Sequence, residues 1–334
     1  MERMNDVMTE PVSTLSSRRE FLFLYDIKMG NPNGDPDENR PRVLPDGTHY
    51  ITDVRLKRFV RDYFKLRGRE ILVDNIEGRT TNLTGRVKHF LEGKKRPKAE
   101  GKELVDILLD GFIDARLFGS SFAFKKEDGW EPKAEPKTLT GAVQVNMGEV
   151  LHKAEEVDIH GTSVFASDSE KTQGTFTTFF GLRYALIGFS GIANEHSACR
   201  SRLTDADYEL YLEALWNGVR AAANTRTKKG QMPHFLLDVQ YKPGEEFQFG
   251  RLQEYLHLES ASGKSEKEWA TPADFRIDIS KLAERLKSQE ARIAKIRLAR
   301  SPDITLFNKN NAGWTCDWLP VDFNTPSPSP AKTE

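Results

Sequence analysis

The chain has 334 residues, 38% hydrophobic and 30% charged, with a formal net charge of −1; this length supports one large or two smaller domains around a substantial core. The balance excludes a uniformly polycationic binder, though not a local basic surface. No apolar run approaches a membrane span, the first twenty residues lack a signal core, and the two cysteines, Cys199 and Cys316, form neither a disulfide framework nor a zinc spacing, so a cytoplasmic protein is expected.

Residues 1–19 read as a flexible lead-in. From Glu20 to Lys28 the chain is almost continuously apolar, which predicts a strand buried on both faces. A loop over 29–50 follows, rich in Pro, Asn and Gly. Thr52 is the expected N-cap of a helix whose Leu56, Phe59, Val60, Tyr63 and Phe64 recur at helical spacing. Residues 66–138 read as a polar, basic insertion. Strands are predicted over 139–147 and 176–190. Between them, 153–175 is rich in charge, Gly and Ser and predicts a protruding hairpin with Val164 and Phe165 at its centre. A second helix starts at Thr204, with Asp207 completing a capping box and an apolar stripe of Tyr208, Tyr211, Leu212, Leu215, Val219 and Ala222. Alternation over 234–241 predicts a strand, and Leu282, Leu286, Ile293 and Ile296 predict a helix over 281–299. Residues 301–324 read as a C-terminal extension and 325–334 as a disordered Pro/Ser tail. The order strand, helix, strands, helix, strand is that of an α+β fold with an RRM-like (ferredoxin-like) core.

Charge is segregated along the chain. Residues 51–70 carry seven Lys/Arg against three acids, 79–102 eight against two, and Ala214 to Leu237 contains no acid. Asn31 and Asn33, close backbone approach at Gly34, and the forks of Arg40 and Arg42 suit phosphate and ribose oxygens; the same residues also make an ordinary turn-rich connection. Thr52, Arg55, Lys57, Arg58 and Arg61 offer a second cluster, with few intrahelical acids to use up the charge. Its alternatives are a solvated face and pairing with the acids of a neighbouring copy. Thr225, Arg226, Lys228 and Lys229 form a third, which also complements a helix C-terminus. Asp26, Asp35, Asp37 and Asp53 are the candidates for metal-dependent hydrolysis, yet their neighbours are turn formers and Asp53 opens a helix. No catalytic residue, metal or cofactor is expected.

The words Asn31–Arg42 (NPNGDPDENRPR) and Thr52–Tyr63 (TDVRLKRFVRDY) are followed by DARLFG from Asp114, LTGAVQVN from Leu139, TQGTF from Thr172, RYA from Arg183 and TRTKKGQ from Thr225. In that order they resemble the "Cas seven" family of CRISPR-associated RAMP-type proteins, the backbone subunits of Cascade, in the variant of type I-B and I-C complexes. The similarity runs from about Phe21 to Tyr241 and more loosely to about Leu319. It implies a hand-shaped subunit with a palm (20–65 and 139–300), fingers (66–138) and a thumb (153–175). It further implies a non-catalytic crRNA-binding subunit, with Gln144 joining the clusters above, that polymerises head to tail in a helical filament along the guide. The implied partners are other copies, the large, small and capping subunits, the guide-processing nuclease and, through base pairing, target DNA; no membrane is involved. The family's thumb displaces a guide base, and Val164, Phe165 or Phe176 would supply its apolar wedge. Type III relatives cut bound RNA with an aspartate, which leaves a metal-dependent endoribonuclease acting on guide-paired RNA as the alternative.

Overall fold

In the computed structural model, which describes residues 13–126, 130, 132–162, 176–224, 228–309 and 318–325, the apolar run after Arg18 forms a twelve-residue strand, β1 (Arg19–Gly30). Next come β2 (Tyr50–Ile51), α1 (Asp53–Leu66), α2 (Leu83–Gly93), α3 (Gly101–Gly111) and α4 (Ile113–Phe118). Four short strands follow: β3 (Gly119–Ser121), β4 (Thr138–Thr140), β5 (Val143–Val145) and β6 (Gly148–Val150). They lead to β7 (Glu156–Thr162), β8 (Phe176–Ala193), α5 (Glu195–Ser201), α6 (Asp205–Ala221) and β9 (Met232–Tyr241). The C-terminal part adds β10 (His257–Ser260), β11 (Phe275–Asp278), α7 (Ser280–Ser288), β12 (Ile293–Arg300), β13 (Leu306–Phe307) and β14 (Leu319–Pro320). No helix among the described residues is long and apolar enough to cross a membrane.

The chain divides into two units. The larger comprises Arg19–Arg69, Gln144–Ile192 and Tyr211–Glu334 and holds a nine-stranded sheet of order β14-β12-β9-β1-β8-β6-β2, with β5 and β7 also pairing with β8. Phe21, Leu22, Phe23, Leu24, Tyr25 and Ile27 of β1 are all fully buried. On one face, Phe21 meets Tyr211 of α6 edge to face at 5.5 Å and Tyr25 meets Phe59 of α1 at 6.1 Å. α1 buries the five residues its spacing predicts, and Thr52 caps it by accepting from the Arg55 amide. At Gly218 of α6 a Cβ would lie 2.7 Å from the Phe59 carbonyl, so glycine lets the two helices touch. On the other face, Leu22 and Leu24 join Tyr184, Leu186, Phe235 and Leu237 beneath Trp269, Phe275, Ile277, Leu282 and Leu286, which come from the chain after β9.

The smaller unit comprises Met1–Arg18, Glu70–Val143 and Ala193–Leu210. Val87, Phe90, Leu91, Leu104, Val105, Leu108 and Phe112 form its own core, with the Phe90 and Phe112 rings 4.2 Å apart. The DARLFG word is internal bracing here. Asp114 accepts from the Leu72 and Val73 amides at 2.6 and 3.2 Å, and Arg116 forks onto Asp207 at 2.8 and 2.7 Å. Thr204 and Asp207 exchange bonds of 3.0 and 3.2 Å as the expected capping box.

Three expectations are corrected. The end of the lead-in does not trail: Leu15 is buried and its amide donates to the Leu203 carbonyl, while Arg18 pairs with Glu195 at 3.1 Å. The strand expected over 139–147 is broken into β4 and β5. The helix expected over 281–299 stops at Ser288, and its second half is β12, where Ile296 pairs with Val239 and Leu298 with Leu237. Apolar residues at 293, 296 and 298 fit a short strand as readily as a helix, and pairing with β9 decides between them.

Three central strands are also joined by charge. Asp238 of β9, 3% exposed, lies 2.7 Å from Arg297 of β12 and 3.7 Å from Arg19 of β1. Asp238→Ala leaves two part-buried guanidinium groups facing each other without this carboxylate. We expect a loss of about 3–5 kcal/mol in urea unfolding, and a smaller loss for Asp238→Asn.

Candidate nucleic-acid interface

The loop after β1 is braced by its own side chains. Asn31 is buried and its Nδ2 donates to the Asn39 carbonyl at 2.6 Å. The Asn33 Oδ1 accepts from both the amide and the hydroxyl of Thr52, each at 2.8 Å, which ties the loop to the start of α1. Gly34 forms a bridge to Pro41, and a Cβ there would lie 1.9 Å from the Asn39 Oδ1. A Cβ at Gly34 would therefore have to displace the Asn39 side chain, and Asn39 itself holds a left-handed φ of 58°. Arg42 donates to the Gly34 carbonyl at 3.2 Å. Asp35 Oδ1 accepts from the amides of Asp37, Glu38 and Asn39, and these bonds, that from Glu38 foremost, hold its pKa below the usual carboxylate value. Arg40 leans the other way: it pairs with Glu38 at 2.8 Å and Asp158 at 3.8 Å, and its guanidinium lies 3.7 Å from the centre of the Phe180 ring.

Beside this loop is a cleft of about 580 Å³ lined by Arg55, Arg58 and Lys65 of α1 and by Lys228 from the segment ahead of β9, with Asp62 its one acid. In sequence Lys228 lies more than 160 positions from the α1 cations, and the fold unites them. The Arg55 guanidinium lies over the Phe59 ring at 4.5 Å, and its Nε is buried without a hydrogen-bond partner. The Lys228 Nζ donates to the Asn31 and Pro32 carbonyls, the latter at 3.0 Å. Burial first, then repulsion from Arg55, lowers the Lys228 pKa to about 7.

The other candidates are dispersed. Lys57 pairs with Asp53 at 2.9 Å and Arg58 with Asp62 at 2.9 Å, so intrahelical acids do take up charge on α1, against expectation. Arg61 is half-buried, and Gln144 and Lys229 are exposed. Thr225, Arg226, Val164 and Phe165 lie outside the described residues. The backbone of Phe176 pairs with Thr162, the last described pair of the β7–β8 hairpin. Asp26 is buried 2.9 Å from His234, a residue swung out of register by a bulge in β9. Among the described residues no three His, Cys, Asp or Glu side chains gather as a metal site. Two features escaped the sequence reading. The Arg58–Asp62 pair was legible as an i,i+4 spacing, but the meeting of Arg40 with Phe180 and Asp158 carries no local signal.

The family model for CRISPR-associated protein Cas7 matches residues 17–280. A CRISPR-associated protein Cas7 of Haloferax volcanii is 32% identical over 295 residues, which is 84% of this chain and 86% of that one. Among solved structures, a chain of a CRISPR RNA-guided surveillance complex is 14% identical with a TM-score of 0.46, covering 90% of this chain and 94% of that one. A chain of such a complex in a pre-nicking state is also 14% identical, with a TM-score of 0.48 and coverage of 90% and 100%. By the span of the family match and the identity to the Haloferax protein, the chain belongs to the CRISPR-associated protein Cas7 family.

Proposed function

We propose that this chain is a non-catalytic crRNA-binding backbone subunit of a Cascade-type surveillance complex. Copies assemble head to tail along the guide and pre-order it for pairing with target DNA. Pre-ordering lowers the entropic cost of pairing, and base pairing rather than the protein reads the sequence. The observation that carries this reading is the cleft lined by Arg55, Arg58, Lys65 and Lys228, with Asp62 the one acid among its described lining residues. Cations on a rigid helix and a braced loop suit a phosphate chain. Both faces of β1 are covered, so this central strand offers bases no aromatic platform to stack on; that favours backbone contact without sequence preference. In this reading the strands β9-β1-β8-β6, with α1 following β1 and α6 preceding β9, form the RRM-like palm. The helical unit supplies the fingers, the β7–β8 hairpin the thumb, and the remaining subunits of the complex are the partners. No observation favours the nuclease alternative, since Asp35 is taken up by three amides and Asp53 by Lys57.

Combined replacement of Arg55, Arg58 and Lys228 by Gln should weaken binding to unrelated single-stranded RNAs alike. It should also make the slope of log affinity against log salt shallower by roughly 2. Unchanged affinity by fluorescence anisotropy sinks the site. The reading also fixes a pH dependence. An RNA phosphate in the cleft favours charged Lys228, so its pKa rises on binding and binding takes up a proton. Affinity should be full below pH about 7, where free Lys228 is already protonated, and fall as pH rises towards 9. Lys228→Arg should remove that fall, and a pH-independent affinity in the unaltered protein contradicts the role given to Lys228.

A further inference from the structure

We propose that Lys228 is an acyl-acceptor site, its ε-amine taking an acyl group from a small anionic donor of the acyl-phosphate class held in the cleft by Arg55, Arg58 and Lys65. Three observations carry this. The amine is half-buried on the wall of a cleft of about 580 Å³, ample for a small donor. Its nitrogen is fixed by donating to the Asn31 and Pro32 carbonyls, which occupies two of the three ammonium protons. The third position is the one that becomes a lone pair on deprotonation. Finally, the other cations of the cleft match a phosphate leaving group, with Asp62 the one opposing acid.

A desolvated lysine next to another cation is the arrangement that activates an amine as a nucleophile. Burial and the neighbouring Arg55 guanidinium lower its pKa to about 7, so the neutral amine is far more populated at neutral pH than in an ordinary lysine. The neutral amine attacks the acyl carbon. A C–N bond forms, the C–O bond to phosphate breaks, phosphate departs with the electron pair, and the proton lost from nitrogen passes to phosphate or water. No oxidant or reductant is needed. The acylated side chain is uncharged and keeps one N–H for two carbonyls, so both the cleft charge and the brace on the loop are weakened. If the cleft holds guide RNA, as proposed above, RNA-bound copies are shielded and unassembled copies are marked.

Lys229, exposed one residue on, is an internal standard. The full chain is incubated without RNA in acetyl phosphate at pH 7, and acetylation at each lysine is followed by peptide mass spectrometry. Lys228 should acetylate roughly tenfold or more faster than Lys229, because the cleft cations gather the donor beside Lys228 and burial leaves its amine more neutral than an ordinary lysine. Its rate should level off above pH about 8, where the Lys228 amine is neutral. Equal rates, or a Lys228 rate that keeps rising beyond pH about 9, overturn the proposal. Arg55→Gln should shrink the preference to a few-fold; an undiminished preference in a folded Arg55→Gln chain, checked by circular dichroism, overturns the role of the cleft cations. A neutral acetyl N-hydroxysuccinimide ester should show less preference than acetyl phosphate, and an equal one refutes the anionic-donor class. Because labelling is read without RNA, it stands or falls separately from the RNA-binding reading.

Discussion

Apolar cover on both faces of β1 is the constraint from which the rest follows. One face is filled by α1 and α6, and the other by the Trp269, Phe275 and Leu282 layer that the chain lays down after β9. A polymer cannot lie across a sheet whose Leu22, Leu24, Tyr184 and Leu186 are at most 1% exposed. The proposed RNA contact is accordingly at the rim, where loops and helix flanks leave the core. The cleft lies there, built from the flank of α1 and the turn that leads into β9. The C-terminal extension helps to hold this frame, since Asn217 of α6 donates to the Phe323 carbonyl at 2.8 Å and Arg220 to Asn324 at 2.7 Å.

Within that rim, Lys228 is held at an electrostatic cost. Removing an ammonium from water is unfavourable, and Arg55 adds repulsion. Two carbonyls offset part of this cost by solvating the charge. They belong to Asn31 and Pro32, so the bond that keeps the cation also fixes the start of the loop. An anion entering the cleft relieves the repulsion between Arg55 and Lys228 without first having to gather them. The same arrangement gives the proposed RNA contact its charge and the proposed acyl acceptance its neutral amine, and pH sets the balance between them.

Local rules made much of the scaffold legible. The apolar run of β1, the stripe and N-cap of α1, and the Thr204–Asp207 box of α6 depend on residues within a few positions of one another, and the structure has them as read. The misjudged segments depend on distant partners. The 293–300 segment is a strand because β9 offers it an edge, and residues 13–18 are fixed by Leu203 and Glu195. The basic clusters were legible as composition. The Lys57–Asp53 pair follows from i,i+4 spacing, but that Lys228 joins Arg55 and Arg58 in one cleft, and that Arg40 turns to Phe180, is decided by tertiary placement that no spacing encodes.

This bears on what the most recognisable words in the chain are for. In the Asn31–Arg42 word, Asn31, Asn33 and Arg42 donate or accept within the loop or to Thr52, and Gly34 makes room for Asn39. In the DARLFG word, Asp114 and Arg116 tie helix ends to neighbouring backbone and to Asp207. These residue types are fixed by the geometry they impose, because a longer amide or an added Cβ would break the brace. A loop that spends its polar side chains on its own shape presents mainly backbone and the few cations gathered beside it. In the proposed reading such a surface suits a ligand that repeats, as a sugar-phosphate chain does, whereas discrimination between bases could not draw on Asn31, Asn33 and Arg42, which are committed within the loop or to Thr52.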